Sequence, residues 1–482
     1  MTDANAARSS GCGDSSPFLD ELLEQAVGRE DVYLAAALHP FAGEDDRERL
    51  EPILFATPRL RRQLAAAPYT PGSVLAQLVA RTSDSKLRER IARHPATPPE
   101  TLRELANGDV SEALAEALAG HKSTPAEVLA ELKWRGSVSM QKALAGNPAL
   151  DCDLLAEIAT EAPLEVLKEI AKHSNADALL LQDLWSRGGD TYLRAEIAGN
   201  GHCPEGLQEA AEKDGAPLVR RLLAANQSVR VERLVRLLGD PLPQVRAAAV
   251  RNLLLPAEEL DSLIDDPSRQ VRRTEARRDG LTESLIERLA QDEDEWVRRW
   301  VARNRATPEG VLRQLAEDEV AEVRRAVARN PVCPRDLLFE LAKDRDNWVR
   351  AGVAFRHDLP EPVLRELAAE EDADILTGIG QNPAVSNEIL QKIANHPDKD
   401  IRRAVVLNEK APLEIVRILQ DDPYPLNRAI VAGHPALTAA ELREMVDDPE
   451  PQVRFIAAQT LVRKAPNDVS TKTEHATGNT AE

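Results

Sequence analysis

The sequence is poor in the residues that most β-rich folds need for their cores. Aromatic residues make up only 3% of the 482-residue chain, so leucine, valine, isoleucine and alanine must supply the apolar interior. These side chains suit the narrow space between packed helices, whereas strands favour aromatic and β-branched residues. No segment alternates convincingly between polar and apolar residues over the length of a strand. The low aromatic content therefore favours an all-α protein.

Cysteine is also scarce, which excludes a disulfide framework. The four cysteines, Cys12, Cys152, Cys203 and Cys333, are far apart and form no CxxC pair. A reducing compartment is the simplest explanation, and we expect a cytoplasmic protein. The amino terminus lacks a basic start followed by an apolar stretch, and no run of about 18 apolar residues occurs. We therefore predict neither a signal peptide nor any association with a membrane.

Excess positive charge and catalytic motifs are absent as well. The formal net charge is −20, which argues against a surface that binds nucleic acid or anionic lipid over its whole extent. There is no Gly-rich phosphate loop, no HExxH and no GxSxG. We predict no enzyme activity, no catalytic residues, no cofactor and no metal site.

What the sequence does contain is a junction that recurs along nearly its whole length. The copy used here as a reference ends at Asn330, after Ala-Val-Ala-Arg. The equivalent positions are His39, Ala67, His94, His121, Asn147, His173, Asn200, Asn226, Asn252, Arg278, Asn304, Asn330, Arg356, Asn382, Asn408 and His434. The spacing is 26 to 28 residues at first and then a constant 26 from Asn200 onward. So regular a period predicts a solenoid of about sixteen 26-residue repeats.

The first half of each repeat reads as a short helix. In the copy that begins at residue 307, Thr307 is expected to be the N-cap and Pro308 the first helical residue. Val311, Leu312 and Leu315 then follow at helical spacing and are expected to be buried.

The second half reads as another short helix. Asp318 is expected to cap it, and Val323 and Val327 are expected to face the core. Ala328 should allow neighbouring helices to approach closely. We expect Asn330 to end the helix, because asparagine tolerates a left-handed backbone.

These observations predict the domain organisation. The polar segments 1–16 and 464–482 are expected to be disordered tails. Residues 17–66 follow the period only loosely and are expected to form degenerate capping repeats, while residues 67–463 are expected to form the solenoid proper.

The stretch "TPEGVLRQLAEDEVAEVRRAVARNP" resembles the leucine-rich repeat variant and, more broadly, HEAT-like repeats. The resemblance covers about residues 30–460. It implies a right-handed superhelix of paired short helices, some of them 3₁₀, that binds other macromolecules. The founding member of the variant family also resembles an iron–sulfur protein, but here only Cys12 precedes the repeats. Cys203 and Cys333 lie five repeats apart, roughly 40–50 Å at the usual helix spacing, and cannot share a cluster.

An arginine six residues before the reference position is the most regular charged residue, and an aspartate often stands six residues before that arginine. HEAT-type repeats resemble this pattern, which implies a structural ladder between adjacent repeats. An arginine fork can bind the free oxygens of a carboxylate in the next repeat. The most regular pairs are Asp240 and Arg246, Asp266 and Arg272, Asp292 and Arg298, Asp318 and Arg324, and Asp344 and Arg350. Ligand binding by the same residues is the alternative, and the arginine is missing at Ala115, Gln141, Leu167 and Leu376.

A second set of arginines has no obvious structural purpose. Like charges at i, i+4 slightly disfavour a helix, yet such pairs recur in three successive repeats. We treat these arginines, with the tryptophans of the same repeats, as a candidate binding stripe: Arg273, Arg277, Arg299, Arg303, Arg325, Arg329, Trp296, Trp300 and Trp348. Arginine with tryptophan is typical of binding hot spots. Solvated arginines paired with neighbouring carboxylates are the other interpretation, and both remain open at this point.

Two functions follow from this pattern. The first is a non-enzymatic scaffold that binds a protein partner through the solenoid surface. The second is a HEAT-like protein that binds nucleic acid, with a role related to DNA repair, through the basic stripe from Arg273 to Arg329. The partner itself cannot be identified from the sequence.

Overall fold

The structure is a computed structural model. It describes residues 55, 58–67, 70–108, 110–132, 136–263 and 265–464. The predicted tail 1–16, most of the predicted capping segment 17–66, and the tail after residue 464 lie outside the described residues. Lys464, which we placed in the tail, is instead the last residue of a helix.

Within the described residues every regular element is a helix, which confirms the prediction of an all-α solenoid. The α-helices are α1 (Pro58–Leu64), α2 (Gly72–Ala80), α3 (Ser85–Ala92), α4 (Pro99–Ala106), α5 (Glu112–Gly120), α6 (Ala126–Leu132), α7 (Val138–Ala145), α8 (Cys152–Ala159), α9 (Leu164–Lys172), α10 (Ala178–Ser186), α11 (Thr191–Gly199), α12 (Glu205–Glu212), α13 (Pro217–Ala225), α14 (Val231–Leu238), α15 (Pro243–Arg251), α16 (Arg269–Glu275), α17 (Glu283–Leu289), α18 (Glu295–Arg303), α19 (Glu309–Ala316), α20 (Ala321–Ala328), α21 (Arg335–Leu341), α22 (Asn347–Ala354), α23 (Glu361–Ala368), α24 (Ala373–Gly380), α25 (Asn387–Ala394), α26 (Lys399–Val406), α27 (Leu413–Val416), α28 (Pro425–Ala432), α29 (Ala439–Met445) and α30 (Pro451–Lys464). Two 3₁₀ helices, Ala257–Leu263 and Arg417–Asp421, take the place of all or part of a first helix. Each repeat is thus a pair of short helices, as predicted.

The chain divides into two compact units. One consists of residues 109–389 and the other of residues 1–108 together with 390–482. In the 109–389 unit, each second helix packs on the second helix of the next repeat, in an unbroken row from α5 to α24. In the other unit, α26 packs on α28 and α28 on α30 in the same manner. Helices of eight or nine residues are marginal alone, so this stacking is what stabilises them.

The repeat that contains α19 and α20 shows how the core is built. Val311, Leu312 and Leu315 of the first helix are buried, and so are Val323 and Val327 of the second. Within the 109–389 unit, the equivalent apolar positions of the other repeats are buried in the same way. No repeat can bury these residues alone, so the repeats are stable only when they are stacked on one another.

The start of the first helix differs from the prediction. Pro308 is itself the N-cap residue, and the helix begins at Glu309. Thr307 does not cap: its buried hydroxyl donates a hydrogen bond of 2.6 Å to the carbonyl oxygen of Val301 at the end of the preceding helix. The threonine therefore satisfies an orphan carbonyl of one helix rather than an orphan N–H of the next.

The predicted cap of the second helix is also wrong. Asp318 lies two residues before the N-cap, which is Val320, and its Oδ1 accepts a hydrogen bond from the Val320 N–H at 2.9 Å. The aspartate thus makes an Asx turn ahead of the helix. Its other oxygen remains available for the contact with arginine described below.

The reference asparagines adopt an extended backbone, so the left-handed geometry that we expected is not their function. Asn226 has φ −67° and ψ 128°. Its Nδ2 donates hydrogen bonds of 2.8 Å to the carbonyl oxygens of Ala198 and Asn200 in the preceding repeat. Its Oδ1 accepts from the Ser228 N–H. Each such asparagine therefore donates to a carbonyl oxygen at or near the helix end of the preceding repeat, and this hydrogen bond links adjacent repeats.

The same contact is made by other residue types at the reference position. Arg278 donates from Nη1 to the carbonyl oxygens of Val250 and Asn252 at 2.8 and 2.6 Å. The Nε2 atom of His173 lies 2.9 Å from the carbonyl oxygen of Asn147. The position selects a side chain that can reach back to a carbonyl, which explains why asparagine, histidine and arginine share it.

Replacing Ala328 with leucine is expected to lower the free energy of unfolding by about 1–3 kcal/mol, because the added atoms overpack a close helix contact. Ala328 is completely buried in the row of second helices. The shift in the urea midpoint, followed by tryptophan fluorescence, checks this. Ala225→Leu, on an exposed helix end, is the control. Equal midpoints for the two variants would contradict the close packing at Ala328.

One buried side chain departs from the apolar pattern of the core. Glu275, the last residue of α16, occupies the position that Val301, Val327 and Val353 hold in later repeats, and it is fully buried. Neither of its carboxylate oxygens has a hydrogen-bond partner among the described residues. Burial, with the nearby carboxylates of Asp266, Asp261 and Asp292, raises the pKa of Glu275 to about 8.

Candidate functional site

The regular arginines and aspartates form direct contacts between consecutive repeats. Arg298 of one repeat donates from Nε and Nη2 to the two carboxylate oxygens of Asp318 in the next, at 2.6 and 3.0 Å. Its Nη1 donates to the carbonyl oxygen of Asp292 in its own repeat at 2.9 Å. Only 12% of the Arg298 side chain and 7% of the Asp318 side chain are exposed. Each of the three guanidinium nitrogens therefore donates at least one hydrogen bond within the protein.

This arginine–aspartate ladder runs through most of the described array, always from an arginine to the carboxylate twenty residues later. Its pairs are Arg194–Asp214, Arg220–Asp240, Arg246–Asp266, Arg272–Asp292, Arg298–Asp318, Arg324–Asp344, Arg350–Glu370, Arg402–Asp422 and Arg428–Asp448. The hydrogen bond with Asp344 raises the pKa of Arg324. Burial opposes ionisation of Asp344, but the hydrogen bonds from Arg324 and from the Asp346 N–H, together with the charge of Arg324, outweigh it, and the pKa of Asp344 is lowered. Most of the donors of these arginines are thus already used within the array, which favours the structural role over ligand binding.

The candidate binding stripe has a different geometry. Its arginines lie over aromatic rings rather than against carboxylates. The guanidinium groups of Arg273 and Arg299 lie 5.8 and 4.8 Å from the ring centroid of Trp296. Those of Arg277 and Arg303 lie 4.2 and 5.4 Å from the centroid of Trp300. Each ring thus links arginines of two successive second helices, α16 and α18, by cation–π contacts.

The contacts continue into the next two repeats. Arg325 of α20 lies 3.6 Å from the ring centroid of Trp348 in α22. Arg329 lies 4.9 Å from the centroid of Phe355, just beyond the end of α22. We call the nine predicted residues of the stripe the arginine–tryptophan cluster. The structure brings all nine together on four consecutive second helices and the residues just beyond their ends, and Phe355 adjoins them.

Only one arginine of the cluster has a carboxylate partner among the described residues. Arg273 binds both oxygens of Asp294, at 2.9 and 2.7 Å, and Asp294 also caps α18. The other five cluster arginines have no ion pair in the described part of the chain. This differs from the interpretation in which neighbouring carboxylates neutralise them.

Arg325 shows the electrostatic consequence. It is half-buried, and its Nε has no hydrogen-bond partner among the described residues. Burial lowers the pKa of Arg325, and the positive charges of Arg329, Arg299 and Arg303 lower it further. Like charges held this close favour the binding of an anion from outside.

Sequence reasoning missed two arginines that extend the same surface. Arg251 precedes Arg277 by one repeat and lies at the same position of its helix, so four arginines follow one another at a constant interval. Arg221 precedes Arg273 by two repeats in the other column. Both line a shallow pocket with Leu222 and Ala248, and neither has an ion pair among the described residues. The 26-residue period alone could have identified both.

The cysteines and histidines form no metal centre in the part of the chain that the structure describes. Cys203 and Cys333 are buried, and burial raises the pKa of their thiols to about 12 and about 11. Both are therefore poor ligands and poor nucleophiles at neutral pH. Among the described helices, none is long and apolar enough to cross a membrane.

Comparison with known proteins places the repeats in a family. The model of the family described as leucine rich repeat variant matches residues 295–320 and 321–346. A solved structure described as a leucine-rich repeat variant with a novel repetitive structural motif is 31% identical, over 46% of this chain and 88% of that one, with a TM-score of 0.35. This chain belongs to the leucine-rich repeat variant family. The identity over most of the solved chain, together with the family match, decides it.

Other comparisons with this leucine-rich repeat variant protein are weaker. A structure described as Kap95p bound to RanGDP is 12% identical, over 91% of this chain and 68% of that one, with a TM-score of 0.32. An engineered protein is 16% identical, over 90% and 99%, with a TM-score of 0.15. At these values neither likeness bears on the fold or the function. No curated protein matches.

The two repeats that match the family model contain most of the arginine–tryptophan cluster. Trp296, Arg299, Trp300 and Arg303 lie in the first matched repeat, and Arg325 and Arg329 in the second. Leucine-rich repeat variant proteins are helical repeat proteins, a class generally suited to binding interactions.

Proposed function

We propose that this leucine-rich repeat variant protein is a non-enzymatic scaffold that binds a protein partner through the arginine–tryptophan cluster. One observation carries the proposal: Arg277, Arg299, Arg303, Arg325 and Arg329 stand together without a carboxylate partner among the described residues. Their mutual repulsion disfavours the fold, and among the described residues only the cation–π contacts oppose it.

The contrast with the arginine–aspartate ladder supports a binding role for the cluster. Its arginines are held by two partners each and are largely buried, whereas Arg303 and Arg329 are exposed. Trp296 and Trp348 are each 41% exposed, which is unusual for residues of this size. Exposed tryptophan flanked by arginine is the composition of interface hot spots.

Replacing Arg299, Arg303, Arg325 and Arg329 with glutamine is expected to abolish capture of the protein partner. The change removes four positive charges from the cluster without touching the ladder. Affinity purification of wild-type and variant protein from cells, with quantitative comparison of the proteins recovered, measures the effect. The partner should fall by at least about tenfold, since each lost charged contact contributes on the order of 1 kcal/mol.

The matched control replaces Arg288, Arg313, Arg335 and Arg365 with glutamine. These arginines lie on first helices of the same region and make exposed contacts, so the variant has the same net charge. It should retain the partner. Retention of the partner by the cluster variant, or equal loss from both variants, would count against the cluster as the binding surface.

Binding of nucleic acid, the alternative function, depends on the same arginines. A base that stacks on Trp296 or Trp300 competes with two guanidinium groups already over each ring. The net charge of −20 also repels a long phosphate backbone. Both points favour a protein partner. Salt-dependent binding of a DNA or RNA oligonucleotide that disappears in the cluster variant would reverse that preference.

A further inference from the structure

We infer that the occupant of the cluster is an extended acidic peptide that presents a carboxylate at every third residue. This rests on the proposed function and names the partner's chemistry. The inference starts from the second column of arginines, Arg251, Arg277, Arg303 and Arg329, which lies at or just beyond the ends of four consecutive second helices, α15, α16, α18 and α20. These helices pack directly on one another.

The spacing of the arginines along the column determines the spacing of the carboxylates that can bind them. Packed helices lie about 8–10 Å apart, so neighbouring arginines of the column are spaced similarly. A polyproline-type peptide rises about 3.1 Å per residue with three residues per turn. The same face of the peptide therefore recurs every three residues, at about 9 Å. This interval matches the spacing of the arginines along the column.

The first column widens the same surface. Arg273, Arg299 and Arg325 lie one helical turn before their partners in the second column, about 6 Å away along each helix. A peptide lying across the row of helices is thus flanked by two parallel lines of positive charge. Both lines end at α22, where Trp348 contacts Arg325 and Phe355, just beyond the helix, contacts Arg329. We place one end of the bound segment there.

The chemistry of the surface favours an extended peptide over a helix. An amphipathic helix docks through its apolar face into an apolar groove. Here the exposed rings of Trp296 and Trp348 are already in contact with guanidinium groups. The arginines therefore present forks for carboxylates, which they bind in a bidentate manner.

Gly352 shows that the position of Arg325 is built into the fold. A Cβ atom at Gly352 would lie 2.8 Å from Cγ of Arg325, so any larger residue would displace the arginine side chain. The preceding repeats carry alanine or tryptophan at this position, Ala326 and Trp300. The glycine leaves room for Arg325 to cross α22 and reach Trp348.

The test uses a fluorescent peptide of about twelve residues with glutamate at every third position and alanine and proline between. A second peptide contains the same residues with the four glutamates at alternate positions. Anisotropy titrations with the full chain are expected to show about tenfold tighter binding of the first peptide, because only it reaches all four arginines of the second column together.

Two variants locate the binding. Arg251→Gln with Arg303→Gln should weaken the three-residue-spaced peptide by about tenfold and leave the alternate peptide nearly unchanged. Gly352→Ala keeps every charge but moves Arg325, and should weaken the same peptide severalfold. Arg313→Gln, on a first helix, should change neither affinity.

Three results would overturn the inference: equal affinity for the two peptides, equal weakening of both by the arginine variants, or tighter binding of an oligothymidylate of equal charge. These outcomes leave the proposed function testable by itself. If the cellular partner is lost only from the cluster variant, the scaffold function stands even though the peptide spacing is wrong. If the partner is retained, the proposed function fails whatever the peptides do.

Discussion

Glu275→Val is expected to stabilise the protein, by about 4–5 kcal/mol at most near pH 8.5 and by much less near pH 5. Glu275 is fully buried, and neither carboxylate oxygen has a hydrogen-bond partner among the described residues. Valine is the residue that later repeats place at the same position, as in Val301 and Val327. Its volume is similar, so it should fit without overpacking.

The pH dependence follows from the raised pKa. In the unfolded chain Glu275 ionises near its ordinary value of 4.5, whereas in the folded protein it keeps its proton until about pH 8. Between these two values the unfolded state holds fewer protons than the folded state, so stability falls as pH rises. Below the lower value the group is neutral in both states and this penalty disappears.

Urea unfolding of wild-type and Glu275→Val protein at about pH 5 and about pH 8.5 measures the effect. Glu275→Gln serves as a control, because it removes the ionisation but leaves an unsatisfied buried amide. It should lose the pH dependence and recover only part of the stability. A difference between wild type and the valine variant that is the same at both pH values would contradict a neutral buried carboxyl.

Asp318→Ala is expected to lower the free energy of unfolding by about 3–5 kcal/mol, the usual loss when one partner of a buried ion pair is removed. Arg298 would keep its bonds to backbone carbonyls but lose its only carboxylate. The half-buried arginine would then carry an uncompensated charge. The fluorescence-monitored urea midpoint measures the change.

Two controls distinguish this ladder contact from an ordinary surface pair. Asp318→Glu should retain most of the stability, because Glu370 already binds Arg350 at the equivalent point of another repeat. Asp336→Ala, which removes an exposed contact with Arg313, should leave the urea midpoint nearly unchanged. If Asp318→Ala and Asp336→Ala have equal effects, the ladder does not stabilise the array as we describe.

Much of the fold could be predicted because every repeat must bury the same positions against its neighbours, so similar residues recur at a constant interval. Val323 and Val327 had to be apolar in most copies, so their burial was visible in the sequence. The role of Thr307 was not, since a threonine before a proline looks the same whether it caps the next helix or closes the previous one. The sequence does not show whether the threonine hydroxyl bonds to an N–H of the following helix or to the carbonyl oxygen of Val301. The backbone geometry of the structure decides this.

The candidate site was predictable in composition but not in its contacts. The period placed Arg299 and Arg325 in one column, yet whether each meets a carboxylate or a ring depends on side-chain directions between helices. Glu275 was missed although its signal was present, because it is a lone acidic residue in a column of valines. The period makes contacts shared by many repeats visible in the sequence, but it gives no sign of a contact that only one repeat makes.

The ladder also limits how this gene can change length. From Arg194 to Asp448, with a gap at Leu376, arginine and carboxylate are held twenty residues apart, and over the same stretch the reference positions keep a constant spacing. Before Arg194 the ladder is absent at Ala115, Gln141 and Leu167, and there the spacing varies by a residue or two. A one-residue insertion within the laddered stretch would separate a paired charge from its partner. That part of the chain can therefore lengthen or shorten by whole repeats, while single-residue insertions and deletions are confined to the copies that carry no ladder.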